Sequence, residues 1–135
     1  MKKHLLMIAI ASTCLIAGQA SAMTADEYKV AKEKIEADYK ADKAQCDAMK
    51  DNAKDVCQKE AKGKEDVAKA ELEQQYKPSD AHARKVAEEK AKATYEVAKE
   101  KCDDQAGDAK AACVKQAKAD EAQAKADIKA KKKTM

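Results

Sequence analysis

The sequence predicts an all-α fold of two tandem, disulfide-pinned helical hairpins, with a four-helix bundle favoured over two separate arms. Three observations carry this expectation. Beyond Ala22 the chain is mostly Ala, Lys, Glu, Asp and Gln, and Pro78 is its only proline. Ala, Lys, Glu and Gln are good helix formers because they lose little side-chain freedom on the helix. The chain also aligns with itself, Tyr28–Lys77 against Arg84–Lys133. The cysteines fall inside that repeat: Cys46 and Cys57 match Cys102 and Cys113, with the same C-x10-C spacing.

The segment from Met1 to Ala22 is organised as a secretory signal peptide. Lys2 and Lys3 open it, residues 5–17 form a mostly apolar run, and Ala20-Ser21-Ala22 is a small-residue cleavage site, which is the order such signals follow. The apolar run is too short to cross a hydrocarbon layer of about 30 Å comfortably, so no membrane span is expected after cleavage. Cys14 lies within it, but Ala11 and Thr13 fit poorly where a lipoprotein site wants Leu and a small Gly or Ala. Export places the rest of the chain in the periplasm, an oxidising compartment.

The repeat sets the organisation. The first copy reads YKADKAQCDAMKDNAKDVCQKEAK and the second YEVAKEKCDDQAGDAKAACVKQAK, with Tyr39 and Tyr95 at matching places before the first cysteine of each. Shared Lys and Ala can inflate such a match, but the paired cysteines cannot arise that way. Self-similarity of this kind fixes the architectural unit. The expected units are a signal peptide at 1–22, a first hairpin at 23–77, a linker at 78–79 and a second hairpin with a basic tail at 80–135. Pro78 lacks an amide donor and disfavours helical geometry at Lys77, so a helix ends there. Ser79 or Asp80 can cap the next.

Taken in order, the expected helices are 25–49, 53–76, 80–106 and 109–133. Within the second repeat Gly107-Asp108 reads as a C′ glycine followed by an N-cap residue. Asp51-Asn52 holds the same place in the first repeat, Asn being the next best residue for a left-handed turn or a cap. Acid-before-base pairs four apart recur: Glu36–Lys40, Asp55–Lys59, Glu60–Lys64, Glu65–Lys69, Glu73–Lys77, Glu88–Lys92 and Glu121–Lys125. Each adds only about 0.2–0.5 kcal/mol, but together they favour helix. Cys57, Ala61, Ala68 and Leu72 line one face, and Cys113, Ala117, Ala124 and Ile128 repeat it without a slip. Tyr28, Ile35, Tyr39, Cys46 and Met49 line another. These stripes are thin and alanine-rich, so they suit close helix approach rather than a deep core.

With Cys14 removed, four cysteines remain, and an even count in an exported protein reads as disulfides. Cys46–Cys57 and Cys102–Cys113 fit a hairpin whose tip lies between each pair. The alternative is an unbroken helix through each C-x10-C segment. Its cysteines would lie roughly 16 Å apart along the axis, and the bonds would have to run across repeats, Cys46–Cys113 and Cys57–Cys102, as in twin C-x9-C hairpins. Redox chemistry is not expected, since there is no C-x-x-C and no strand–helix alternation. Zinc wants cysteine pairs two to four apart with further ligands, and His82 is the only histidine after the signal. Neither a metal nor a cofactor is expected.

The charge pattern narrows the function classes. The chain carries 28 basic and 25 acidic residues, and Lys2 and Lys3 leave with the signal. This near-neutral, evenly mixed surface argues against nucleic acid, which selects a clustered positive face. The exception is the basic tail, Lys129, Lys131, Lys132 and Lys133. It reads as helix-end charge and solubility, or alternatively as a tether to anionic lipid or peptidoglycan. No catalytic residues are expected: Ser79 is the only serine after the signal, no glycine-rich phosphate loop exists, and the carboxylates are dispersed.

On CDAMKDNAKDVCQKEAK and CDDQAGDAKAACVKQAK the chain resembles small exported proteobacterial proteins often labelled TolA-like or uncharacterised. It is similar in composition alone to the long helix of TolA and to late-embryogenesis-abundant desiccation proteins. The logic of cysteines flanking a helix–Gly-Asp–helix unit is similar to the PsiF-type repeat. Without an anchor or a C-terminal globular domain, the TolA likeness does not imply energy transduction. What the resemblances imply is a non-catalytic envelope protein that engages an unidentified envelope protein or the cell wall, or else a soluble stress protectant.

Overall fold

The structure is a computed structural model describing residues 22–134. All of the expected signal peptide except Ala22, including Cys14, lies outside the described residues. The described chain holds four helices, α1 (Ala25–Asp47), α2 (Asp51–Tyr76), α3 (Asp80–Cys102) and α4 (Gly107–Thr134). No strand occurs among the described residues.

Helix starts follow from local hydrogen bonding. Thr24 caps α1 by accepting from the Glu27 amide at 3.2 Å, and the Glu27 carboxylate accepts from the Thr24 amide at 2.8 Å. This reciprocal capping box satisfies two donors that a bare helix start leaves unpaired. Ser79 caps α3 by accepting from the His82 amide at 3.0 Å. Lys77 and Pro78 interrupt the path between α2 and α3 as expected, and His82 Nδ1 donates to the Lys77 carbonyl at 2.7 Å.

The turns differ from expectation in their limits. α1 stops at Asp47 rather than 49, α3 stops at Cys102 rather than 106, and α2 and α4 each begin two residues early. In both hairpins the outgoing helix tightens to i→i−3 bonds at its end. Met49 donates to the Cys46 carbonyl at 3.0 Å and Gln105 to the Cys102 carbonyl at 3.0 Å. Such tightening pairs carbonyls that the helix end would orphan. It also ends the helix at Cys102 in α3 and one residue past Cys46 in α1, where each further residue would add about 1.5 Å of travel to be retraced. Re-entry needs a left-handed residue, and that is Gly107 (φ 59) in one hairpin and Asp51 (φ 52) in the other. Asn52 is therefore not the left-handed position, and α2 begins without any side-chain cap. Asp108 belongs to the first turn of α4.

The helices run up and down, each packed against its neighbours in sequence: α1 on α2, α2 on α3, α3 on α4. No backbone approach joins α1 to α4 among the described residues. The two central helices thus carry most of the interior, and α2 alone buries Ala61, Gly63, Glu65, Ala70 and Leu72. Gly63 lies against Ala93 of α3 so closely that a Cβ there would meet the Ala93 Cβ at 2.7 Å. Its counterpart in the second repeat, Ala119, is exposed on α4. Only the inner helix needs the missing side chain.

The expected stripes hold with one exception. Ala61, Leu72, Ala117 and Cys46 are buried, and Tyr28, Ile35, Tyr39, Cys57, Ala68, Cys113, Ala124 and Ile128 are half-buried. Met49 is 44% exposed, because α1 has already ended and the residue sits in the turn. Leu72 is the one large aliphatic side chain that is buried among the described residues. Several of the expected intrahelical pairs redirect to neighbouring helices. Glu65–Lys69 (2.6 Å) and Glu121–Lys125 (2.7 Å) form. Lys64, however, reaches Asp42 of α1 at 2.7 Å, and Lys59 reaches Glu96 of α3 at 3.6 Å. Glu60 pairs with Lys101 of α3 at 3.1 Å. Exposed pairs of this kind contribute about 0–1 kcal/mol each, so they set register more than stability.

Candidate functional site

Because the helices alternate in direction, the molecule has two unlike ends. At one, Cys46 bonds Cys57 and Cys102 bonds Cys113, with Cα separations of 5.4 and 5.6 Å. The favoured pairing is therefore the one formed, and the cross-repeat alternative is not. Cys46 and Cys102 are the most completely buried side chains described, at 1% and 0% exposure. Asn52 links the two hairpins near this end by donating to the Glu100 carbonyl at 3.0 Å. Asp51 and Gly107 open α2 and α4, with Asp108 in the first turn of α4.

At the other end the first hairpin is closed by an aromatic cluster. The rings of Tyr28 and Tyr76 stand 4.6 Å apart between centroids, and the Tyr28 hydroxyl donates to Glu73 of α2. That bond, with the nearby carboxylate charge, holds the Tyr28 phenol above its ordinary pKa. Sequence reading assigned Tyr28 to a packing face but gave Glu73 and Tyr76 no part in it. Their signal was the aromatic at each end of one hairpin, which antiparallel pairing brings together.

Between these ends Glu65 is buried against α1, 7% exposed. Burial is the largest influence on it and opposes its charge, yet the Lys69 and Lys62 ammonium groups together outweigh burial. They hold the carboxyl below its ordinary value. Lys62 is held above its ordinary value by hydrogen bonds to Asp66 and Glu65, and it stands 5.8 Å from the Tyr39 ring centroid. Both Glu65 oxygens accept from lysines, Lys62 at 3.0 Å and Lys69 at 2.6 Å. This is a satisfied structural cluster, not a poised acid.

Grooves flank the contact between α3 and α4. One of about 410 Å³ runs over Ala87, Ala91, Ala98, Ala117 and Ala124. Another of about 470 Å³ opens at the end away from the disulfides, between Arg84 and Lys132. The basic tail lies on the last turns of α4, with Lys129, Lys131, Lys132 and Lys133 all exposed. Lys131 and Lys132 line that second groove, while Lys129 lines its neighbour beside Tyr95.

Among the described residues no group of three or more His, Cys, Asp or Glu is placed to hold a metal ion. No described helix is long and apolar enough to cross a membrane. Comparison with protein-family models, curated proteins and solved structures finds no match to this chain.

Proposed function

We propose that the protein is a non-catalytic structural or interaction protein of the cell envelope, working in the periplasm. It would present a rigid, charged helical surface to another envelope protein or to the cell wall. The observation that carries this reading is the pair of disulfides, one at each hairpin tip. Such bonds persist in oxidising compartments and are rare in the cytosol. They also give shape to a chain whose interior is mostly small side chains, and a fixed shape serves recognition. The resemblance to exported Ala/Lys/Glu-rich proteins points the same way.

A second reading, a soluble stress protectant, draws on that same alanine-rich, charge-covered surface. Far-UV circular dichroism with and without reductant separates the two. An oxidised chain that is helical and cooperative in buffer supports the interaction module. A coil that gains helix only on drying, indifferent to reductant, supports the protectant. Crosslinking of the oxidised protein in intact envelopes, followed by mass spectrometry, tests for the partner.

A further inference from the structure

The second hairpin differs from the first at the open end in a coordinated way. In the register of the repeat, Tyr28 becomes Arg84, Glu73 becomes Lys129 and Tyr76 becomes Lys132. The three positions that form the closed aromatic cluster in one hairpin are therefore all cationic in the other. Arg84 is the only arginine in the chain.

The consequences are visible in packing. Leu72, one helical turn before Tyr76 on α2, is 5% exposed, whereas its counterpart Ile128 is only half-buried. A groove of about 470 Å³ lies where the tyrosines would stand, with Ala83, Ala87 and Ile128 as its apolar floor and Arg84, Lys131 and Lys132 at its rim. That volume falls within the range of about 300–1,000 Å³ seen for small-molecule sites. None of Arg84, Lys129, Lys131 and Lys132 forms an ion pair with a described residue, while the lysines of α2 largely do. Asp80 and Asp127 also line the groove, and Asp127 accepts from Gln123 at 2.9 Å. Those two acids weaken the pull on a bare polyanion, so the apolar floor must contribute to selection.

We propose that this groove binds a single-chain anionic amphiphile. Its phosphate or carboxylate head would sit between Arg84 and Lys132, where an arginine fork can pair bidentately with it. Its chain lies over Ala83, Ala87 and Ile128. The site does not depend on the envelope-scaffold reading, since a protectant could carry it equally.

Isothermal titration of the oxidised protein with dodecyl phosphate below its micellar concentration tests the proposal. Saturable one-to-one binding is expected, weakened at least tenfold in Arg84→Gln/Lys132→Gln. A second variant, Arg84→Tyr/Lys129→Glu/Lys132→Tyr, rebuilds the first hairpin's cluster. It should abolish binding while keeping the helical spectrum and thermal midpoint at or above those of the unaltered protein. Neutral dodecyl maltoside and inorganic phosphate should each bind at least tenfold more weakly. Three results would overturn the proposal: undiminished binding in the rebuilt variant, phosphate binding as tightly as dodecyl phosphate, or binding to phosphatidylglycerol vesicles with none to the dispersed amphiphile.

Discussion

Opening the disulfides is the perturbation with the largest calculable effect. Each bond joins cysteines 11 residues apart, and closing a loop of that length restricts the unfolded chain by about 3 kcal/mol in the chain-entropy model. Small domains have only about 5–15 kcal/mol of total stability. This chain, with Leu72 its one buried large aliphatic among the described residues, belongs near the lower limit. Losing both bonds should therefore leave the folded state barely populated. Urea unfolding followed by far-UV circular dichroism reads this directly. With a denaturant slope of about 2 kcal/mol per molar, each bond lost shifts the midpoint by about 1.5 M. The two bonds should also differ in what they hold. Cys102→Ser/Cys113→Ser frees α4, whose sole buried residue is Ala117. Amide exchange should then rise along α4 first, with roughly a quarter of the helical signal lost before the rest unfolds. Cys46→Ser/Cys57→Ser leaves α1 held by the Tyr28–Tyr76 contact and should fray less. A reduced protein with an unchanged midpoint would refute the reasoning, because a loss of about 3 kcal/mol per bond must move it.

Four further outcomes follow from packing and charge. Leu72→Ala should lower stability by about 2–5 kcal/mol, measured by urea titration, whereas Met49→Ala should change it by under about 0.5 kcal/mol. Gly63→Ala gains about 1 kcal/mol of helix propensity but forces α2 from α3 at the Ala93 contact. A net loss of about 1–2 kcal/mol is expected, restored in Gly63→Ala/Ala93→Gly. Glu65 titrates below the ordinary carboxylate value when folded, so its contribution is whole above about pH 4.3 and is lost as pH falls through the folded value. Thermal midpoints should fall in that acid range, less steeply in Glu65→Gln. Tyr28 titrates above its ordinary value, so its contribution holds below about pH 10 and is lost above, a dependence absent from Tyr28→Phe.

Much of the fold was legible because it is written in local chemistry. Gly107 marked a left-handed re-entry, the cysteines bracketed it, and the repeat carried the bracketed turn to the first pair, although the expected residue there was Asn52 and the left-handed one is Asp51. The apolar stripes named one face each of α1, α2 and α4 but none of α3. What they could not name was the contact between hairpins. Gly63 gives no periodic signal, and its meaning emerges only when Ala93 stands against it. Asn52 looked like a turn residue but spends its amide on the Glu100 carbonyl of α3. Lys59, Lys64 and Glu60 had intrahelical partners at the right spacing, yet neighbouring helices offered closer ones. The closed and open ends of the two hairpins were likewise hidden. Tyr28, Glu73 and Tyr76 are distant in sequence, and only antiparallel pairing turns their replacement by Arg84, Lys129 and Lys132 into a single local change.

Peptide mapping of the protein purified under non-reducing conditions, with mass spectrometry of the linked fragments, addresses the clasped-hairpin account most directly. Fragments joining Cys46 to Cys57 and Cys102 to Cys113 are the expected result. Links from Cys46 to Cys113 and Cys57 to Cys102, or four free thiols in a fully helical protein, would contradict it.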